Sequence, residues 1–184
     1  NGEQIAGDAV ICNADPAALA TGRFGVQPTR AVSTYTRQKR SLSANVWFAH
    51  CEVNGFPLQH HNVFFSPDYK REFDQIEAGK SPSEPTVYVC AQDRSASLEA
   101  AQLQPERGRE RIQIIVNAPA NGDSHSYTNE EIEQCTRVMR GSLQRCGLAL
   151  EDPMPHSLAT PETWERLFPA TGGALYGRAS HGWA

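Results

Sequence analysis

The run Thr171 to Trp183, TGGALYGRASHGW, is where this sequence comes nearest to a ligand-handling segment. It carries four glycines among thirteen residues, interleaved with Tyr176, His181 and Trp183. Glycines let a backbone pass close to a flat ligand, and rings beside them offer stacking surface. The competing reading is a glycine-rich tail. Its position after a well-formed helix signal favours the ligand reading.

Other chemistries are poorly served. Six histidines invite a metal site. His60 and His61 are adjacent, so on a strand they point to opposite faces. Neither an HExxH pair nor a Cys–His pair at zinc spacing occurs, and no metal is expected. There is no GxSxG, and Ser124-His125-Ser126 reads as a turn before a helix rather than a nucleophile. Walker and GxGxxG motifs are missing, so nothing in the sequence cradles a dinucleotide pyrophosphate in the usual way. The five cysteines (Cys12, Cys51, Cys90, Cys135, Cys146) are odd in number and widely spaced. They read as buried, reduced thiols of a cytoplasmic protein.

The elements that would position these residues follow from pattern. Gly7 to Cys12, GDAVIC, reads as a buried strand. Asp15 before Pro16 caps a short helix. Arg30, Arg37, Lys39 and Arg40 fall in a polar stretch. It reads as a solvated loop in preference to an anchor for anionic lipid head groups. Ser43 to Val53 is a strand with Val46, Phe48 and Cys51 on one face and Trp47 and Ala49 on the other. His61 to Phe65 is a second strand. Ser66-Pro67-Asp68 starts a helix, with Ser66 as cap, Pro67 in first position and Asp68 an early acid; its apolar face is Tyr69, Phe73 and Ile76, with Gly79 as its stop. Thr86 to Ala91 and Ile112 to Val116 are strong strands. A short helical piece is expected near Leu98 to Leu103. Thr128 with Glu131 forms a capping box for a helix carrying Ile132, Cys135, Met139, Leu143 and Cys146. Gly147 ends it. Thr160-Pro161-Glu162 opens a last helix with Trp164, Leu167 and Phe168. These elements make a mixed α/β (α+β) architecture.

The chain has 184 residues, 39% hydrophobic and 21% charged, with a formal net charge of −4. This suits one domain with a real core and argues against a nucleic-acid binder. No stretch approaches the roughly 20 apolar residues of a spanning helix.

Two end segments, DAVICNAD from Asp8 and TPETWERLFPATGGALYGRASHGW from Thr160, resemble phytoene-desaturase-type enzymes. Ser41 to Asp74 and the run PTVYVCAQDRS resemble more narrowly the hydroxyneurosporene (methoxyneurosporene) or 1-hydroxycarotenoid 3,4-desaturase branch of photosynthetic bacteria. The resemblance covers essentially the whole chain.

It implies the C-terminal half of a two-domain FAD-dependent oxidoreductase acting on CH–CH bonds. Residues 1–25 would end the Rossmann-like FAD domain, here incomplete. Residues 26–159 would be the substrate domain, and 160–184 the return segment. Asn13, Ala14, Asp15, Gly172, Gly173, Tyr176 and Gly177 would lie against FAD. Trp47, Phe48, His61, Phe64, Phe65, Tyr88 and His181 would line the path of an acyclic carotenoid. His60 or His61 could bond its tertiary hydroxyl. No catalytic acid or base is identified. The family's enzymes bind a membrane surface peripherally from the cytoplasm. Without the N-terminal glycine motif the chain alone is expected to bind FAD weakly or not at all and to be inert. The rival readings are phytoene desaturation, isomerisation or saturation and, from another class, a non-catalytic carotenoid- or lipid-binding module.

Overall fold

The computed structural model describes residues 2–33, 39–94, 108–152, 154 and 156–179. The expected Leu98–Leu103 helix, Arg37, His181 and Trp183 lie outside them. The described elements run α1 (Pro16–Ala20), β1 (Ser43–Gly55), β2 (His61–Phe64), α2 (Tyr69–Glu77), β3 (Val87–Ala91), β4 (Arg109–Ala118), α3 (Asn129–Arg145), β5 (Leu148–Leu150), β6 (His156–Ala159) and α4 (Pro161–Leu167). A 3-10 turn covers Gln27–Ala31.

The strands form one antiparallel sheet in the order β2-β3-β4-β1-β5, with β6 also paired to β1. The architecture is thus mixed α/β, with helices on an antiparallel sheet. β1 is the spine. Its partners are β4 along most of one edge (Trp47 opposite Ile114) and β6 then β5 along the other.

Side chains of a strand alternate between faces, so this register fixes what each face carries. One face holds Trp47, Ala49, Cys51, Phe64, Val87, Val89, Ala91, Ile112, Ile114 and Val116, clustered with Met139 and Leu143 of α3. The Trp47 indole N–H donates to Thr136 Oγ1 at 3.1 Å, tying β1 to α3. α3 starts with the expected capping box, Thr128 accepting from the Glu131 amide and Glu131 from the Thr128 amide.

Several expectations need correction. Cys51 lies on the Trp47 face, not with Val46 and Phe48, because residues two apart in an unbroken strand share a face. The run 7–12 is no strand: Val10 and Ile11 are 92% and 97% exposed. High β-propensity makes a strand only where a neighbouring strand takes up its amides and carbonyls, and no described strand does so here. The N-cap of α2 is Asp68, whose carboxylate accepts from the Arg71 amide, rather than Ser66. The Ser66 hydroxyl instead accepts from the Asp68 amide. Tyr69 of that helix is exposed, and its buried pair is Glu72 and Ile76. Leu167 and Phe168 of the last helix are likewise exposed. Cys12 and Cys146 are exposed rather than buried; all five thiols are free.

Candidate functional site

The second face of the sheet is the less covered one, although Val46, Cys90 and Ala159 on it are buried. Cross-strand partners share a face, so one row runs His61, Cys90, Gln113, Phe48 and Ser157 across β2, β3, β4, β1 and β6. The adjacent row runs Val63, Tyr88, Ile115, Val46 and Ala159. Phe48 and Val63 remain 41% and 49% exposed, and Tyr88, Gln113 and Ile115 are half-buried. The Val63 row is aliphatic and aromatic, and the row beside it sets Phe48 and Cys90 among the polar His61, Gln113 and Ser157.

The residues expected to line a substrate path therefore divide. Phe48, His61 and Tyr88 share the open face, His61 and Tyr88 in contact and Phe48 on β1 beyond β3 and β4. Trp47 and Phe64 sit in the core beneath α3. Phe65 lies just past β2 and is 73% exposed. A one-residue step along a strand reverses the face, so Trp47 and Phe48 cannot line one wall together.

At one end of the open face, Glu72 of α2 is fully buried. Its carboxylate accepts from the Thr86 amide (3.0 Å), the Thr86 hydroxyl (2.7 Å) and the Asn117 amide group (3.5 Å). At the other end, His61 Nδ1 meets the Tyr88 hydroxyl at 2.7 Å. Burial first, then the Cys90 thiol, raises the Tyr88 pKa, so this phenol stays protonated and able to hydrogen-bond.

His60 and His61 do not diverge as adjacent strand residues should. His60 precedes β2 in a bend, and the two rings lie 4.2 Å apart, edge to face. His60 Nδ1 approaches the Arg94 and Ala91 carbonyls at 2.6 and 3.1 Å. Arg94 is itself clamped. Its guanidinium donates to both oxygens of buried Glu110 (2.7 and 2.6 Å) and to the Leu58 carbonyl (2.7 Å). Sequence reasoning missed Glu72, Arg94 and Glu110, because a charge that folding buries or clamps, whether on a helix, in a turn or at a strand end, has no periodic signature.

The residues expected against FAD also come together in part. The return segment lies along residues 39–42: the Ser41 amide donates to the Gly177 carbonyl (2.8 Å) and that of Ala179 to Lys39 (2.7 Å). Asp15, the N-cap of α1, lies beside Gly177; a Cβ there would sit 3.5 Å from Asp15 Oδ2. Tyr176 is 81% exposed, Asn13 exposed, and Ala14 half-buried. Gly172 and Gly173 are buried, both at positive φ (66° and 81°). A Cβ would drive Gly172 into Arg40 and Gly173 into the Pro161 carbonyl.

These groups do not fit a pyrophosphate cradle, which needs free, convergent amide donors. The Ala170 and Gly172 amides donate to Glu165 (2.8 and 2.7 Å). Those of Gly173, Leu175 and Tyr176 donate to Thr171 Oγ1, the Leu42 carbonyl and Ser41 Oγ. The neighbouring carboxylates of Glu165 and Asp15 would repel phosphate, and Arg40 is committed to Asp123 by two bonds (3.1 and 2.9 Å). Gly173 packs the turn closely against Pro161 of α4, and Gly172 packs it against Arg40 and the Ala120 carbonyl.

No family model matches the chain. Among curated proteins it is similar to a hydroxyneurosporene desaturase of Rubrivivax gelatinosus, 45% identical over 184 residues, 99% of this chain and 34% of the relative. A second hydroxyneurosporene desaturase, of Cereibacter sphaeroides, is 40% identical over 99% of this chain and 35% of its own length. A 1-hydroxycarotenoid 3,4-desaturase of a Flavobacterium species is 29% identical over 95% of this chain and 34% of the relative. The chain spans about a third of the length of the curated relatives it matches. The resemblance to carotenoid desaturases, and within them to the hydroxyneurosporene branch, thus holds along the whole chain.

Proposed function

We propose that this chain forms the substrate-binding sheet of a flavin-dependent desaturase that dehydrogenates an acyclic, hydroxylated or methoxylated carotenoid. The observation that carries this reading is the open sheet face of Phe48, Val63, Tyr88 and Ile115, in a chain similar throughout to hydroxyneurosporene desaturases. A polyene is long, flat and apolar, and an aliphatic and aromatic wall binds it by burial while holding it in one plane. His61 and the Tyr88 hydroxyl form the polar end of that wall and suit a tertiary hydroxyl or methoxyl oxygen. Once a bound pigment covers it, a hydrogen-bonding pair of this kind separates hydroxylated from plain carotenoids, because the wrong ligand shuts it from water without giving it a partner.

Dehydrogenation removes two hydrogens from adjacent carbons, with electrons passing to the FAD that the resemblance implies. The described residues offer no cradle for its pyrophosphate, so this chain's share is to bind, orient and dry the polyene. The approach of Asp15 to Gly177 supports reading residues 1–25 and 160–184 as adjoining parts of one flavin-facing edge around the 26–159 substrate domain. Among the described residues no helix is long and apolar enough to cross a membrane. For a peripheral, cytoplasmic-side lipid contact the exposed Phe24 and Val26 supply the apolar edge that the basic stretch from Arg30 by itself lacks.

The test is to express the polypeptide carrying this chain in hosts accumulating phytoene, neurosporene or 1-hydroxyneurosporene and to record pigment spectra. A red-shifted product from the hydroxylated pigment alone is expected, since each new double bond lengthens the chromophore. Conversion of phytoene but not of the hydroxylated pigment would replace this reading by phytoene desaturation. Flavin-independent pigment binding without conversion would make the chain a non-catalytic carotenoid module.

A further inference from the structure

We propose that His60, His61 and Cys90 form a binding site for a borderline-soft divalent cation, and that Zn²⁺ suits its donor set. One ligand-type atom from each of the three lies within 4.8 Å of the other two. A thiolate with two imidazoles is a donor set chosen by zinc and its d-block neighbours, not by hard cations such as Mg²⁺ or Ca²⁺.

The geometry carries the argument further than proximity. Both partners of His60 Nδ1 are backbone carbonyls, which only accept, so Nδ1 must carry the proton. The neutral ring then has its lone pair on Nε2, and Nε2 is the atom that faces Cys90 Sγ, 3.9 Å away. Zinc bonds of about 2.3 Å to sulfur and about 2.1 Å to nitrogen at a tetrahedral angle separate the two donors by about 3.6 Å. A small side-chain rotation closes the difference.

An imidazole oriented through its other nitrogen by a fixed acceptor is the usual outer arrangement of a metal-binding histidine. Here the acceptor is rigid, because Arg94 is held by Glu110 and Leu58. His61 Nδ1 meets the Tyr88 hydroxyl, which accepts as well as donates, and with Nδ1 donating the His61 Nε2 lone pair is free for a cation. The register supplies the third ligand, since His61 and Cys90 are direct cross-strand partners and the Ala91 amide bonds the His60 carbonyl at 2.9 Å. Buried Cys90 and exposed His61 leave one side of the triad toward solvent, where water completes a four-coordinate shell. A bound cation would clip the edge strand β2 to β3 and present this fourth position, in place of the His61 imidazole, at the polar end of the open sheet face. The site stands on its own, whatever pigment that face takes.

The experiment uses the full chain in a C12S/C146S background, which removes the two exposed thiols. After chelator dialysis the protein is titrated with Co²⁺, and the near-ultraviolet thiolate-to-cobalt absorption is read. Zn²⁺ affinity is then measured by competition with a chromophoric chelator. One equivalent of Co²⁺ with thiolate absorption is expected. The Cys90→Ser variant should lose that absorption, and His60→Asn and His61→Asn should each weaken Zn²⁺ by at least about tenfold. His61 is exposed, so its variant keeps the test valid if a Cys90 variant fails to fold. No thiolate absorption in the parent, absorption that survives Cys90→Ser, or undiminished Zn²⁺ affinity in His61→Asn overturns the proposal.

Discussion

Trp47 and Phe48 are adjacent aromatic residues of one strand, and the register assigns them opposite fates. Trp47 is 0% exposed, packed under α3. Truncating a buried Trp or Phe to alanine costs about 3–5 kcal/mol in lost transfer energy and cavity. The lost indole bond to Thr136 adds about 1 kcal/mol at most, since Thr136 keeps its bond to the Ile132 carbonyl. Trp47→Ala therefore removes about 3–6 kcal/mol, a large part of a domain's usual 5–15 kcal/mol. Phe48 is 41% exposed. With little over half its burial to lose, and full burial of such a side chain worth about 1.5–3 kcal/mol, Phe48→Ala costs roughly 1–2 kcal/mol. Urea denaturation followed by far-ultraviolet circular dichroism measures both. In parallel, Phe48→Asp should weaken carotenoid binding at least tenfold while the fold persists. Equal destabilisation by the two alanine variants would mean that the second face is as covered as the first, and the proposed polyene wall would fall with it.

Glu72→Ala leaves the Thr86 amide and hydroxyl without their buried carboxylate acceptor, and should cost about 3 kcal/mol, readable in the same urea experiment. Burial, reinforced by Glu151, raises the Cys51 thiol from 9.0 to about 11. The folded state therefore holds this proton where the unfolded chain has lost it. That contribution to stability is complete below pH 9.0 and is lost as pH rises through about 11. Cys51→Ala should flatten the alkaline limb of the stability curve between these values. Thiol reagents at pH 8 should modify Cys12 and Cys146 first and Cys51 last. FAD titrated into this chain should neither raise its melting temperature nor quench flavin fluorescence saturably, because the glycine-turn amides are already bonded to Glu165, Thr171, Leu42 and Ser41. Tight binding would refute the fit argument above.

Local chemistry made the helices and strong strands legible in the sequence. The Thr128–Glu131 capping box, Asp15 before Pro16, Thr160 before Pro161 and the β-branched runs of β3 and β4 act over a few residues, and each forms as the pattern requires. The kinship was also legible, since it rests on residue order alone. Tertiary structure decided the rest. The apolar run 7–12 stays unpaired, because strand formation depends on a neighbour that propensity cannot supply. Glu72 and Glu110 are buried because Thr86, Asn117 and Arg94, distant in sequence, arrive to satisfy them. His60 joins His61 and Cys90 because a bend before β2 breaks the alternation that would have sent the two rings apart. Periodicity assigns residues to faces within one element. Which face is covered, and which distant side chains meet there, is set by the register between strands and by the helix that packs on one side only.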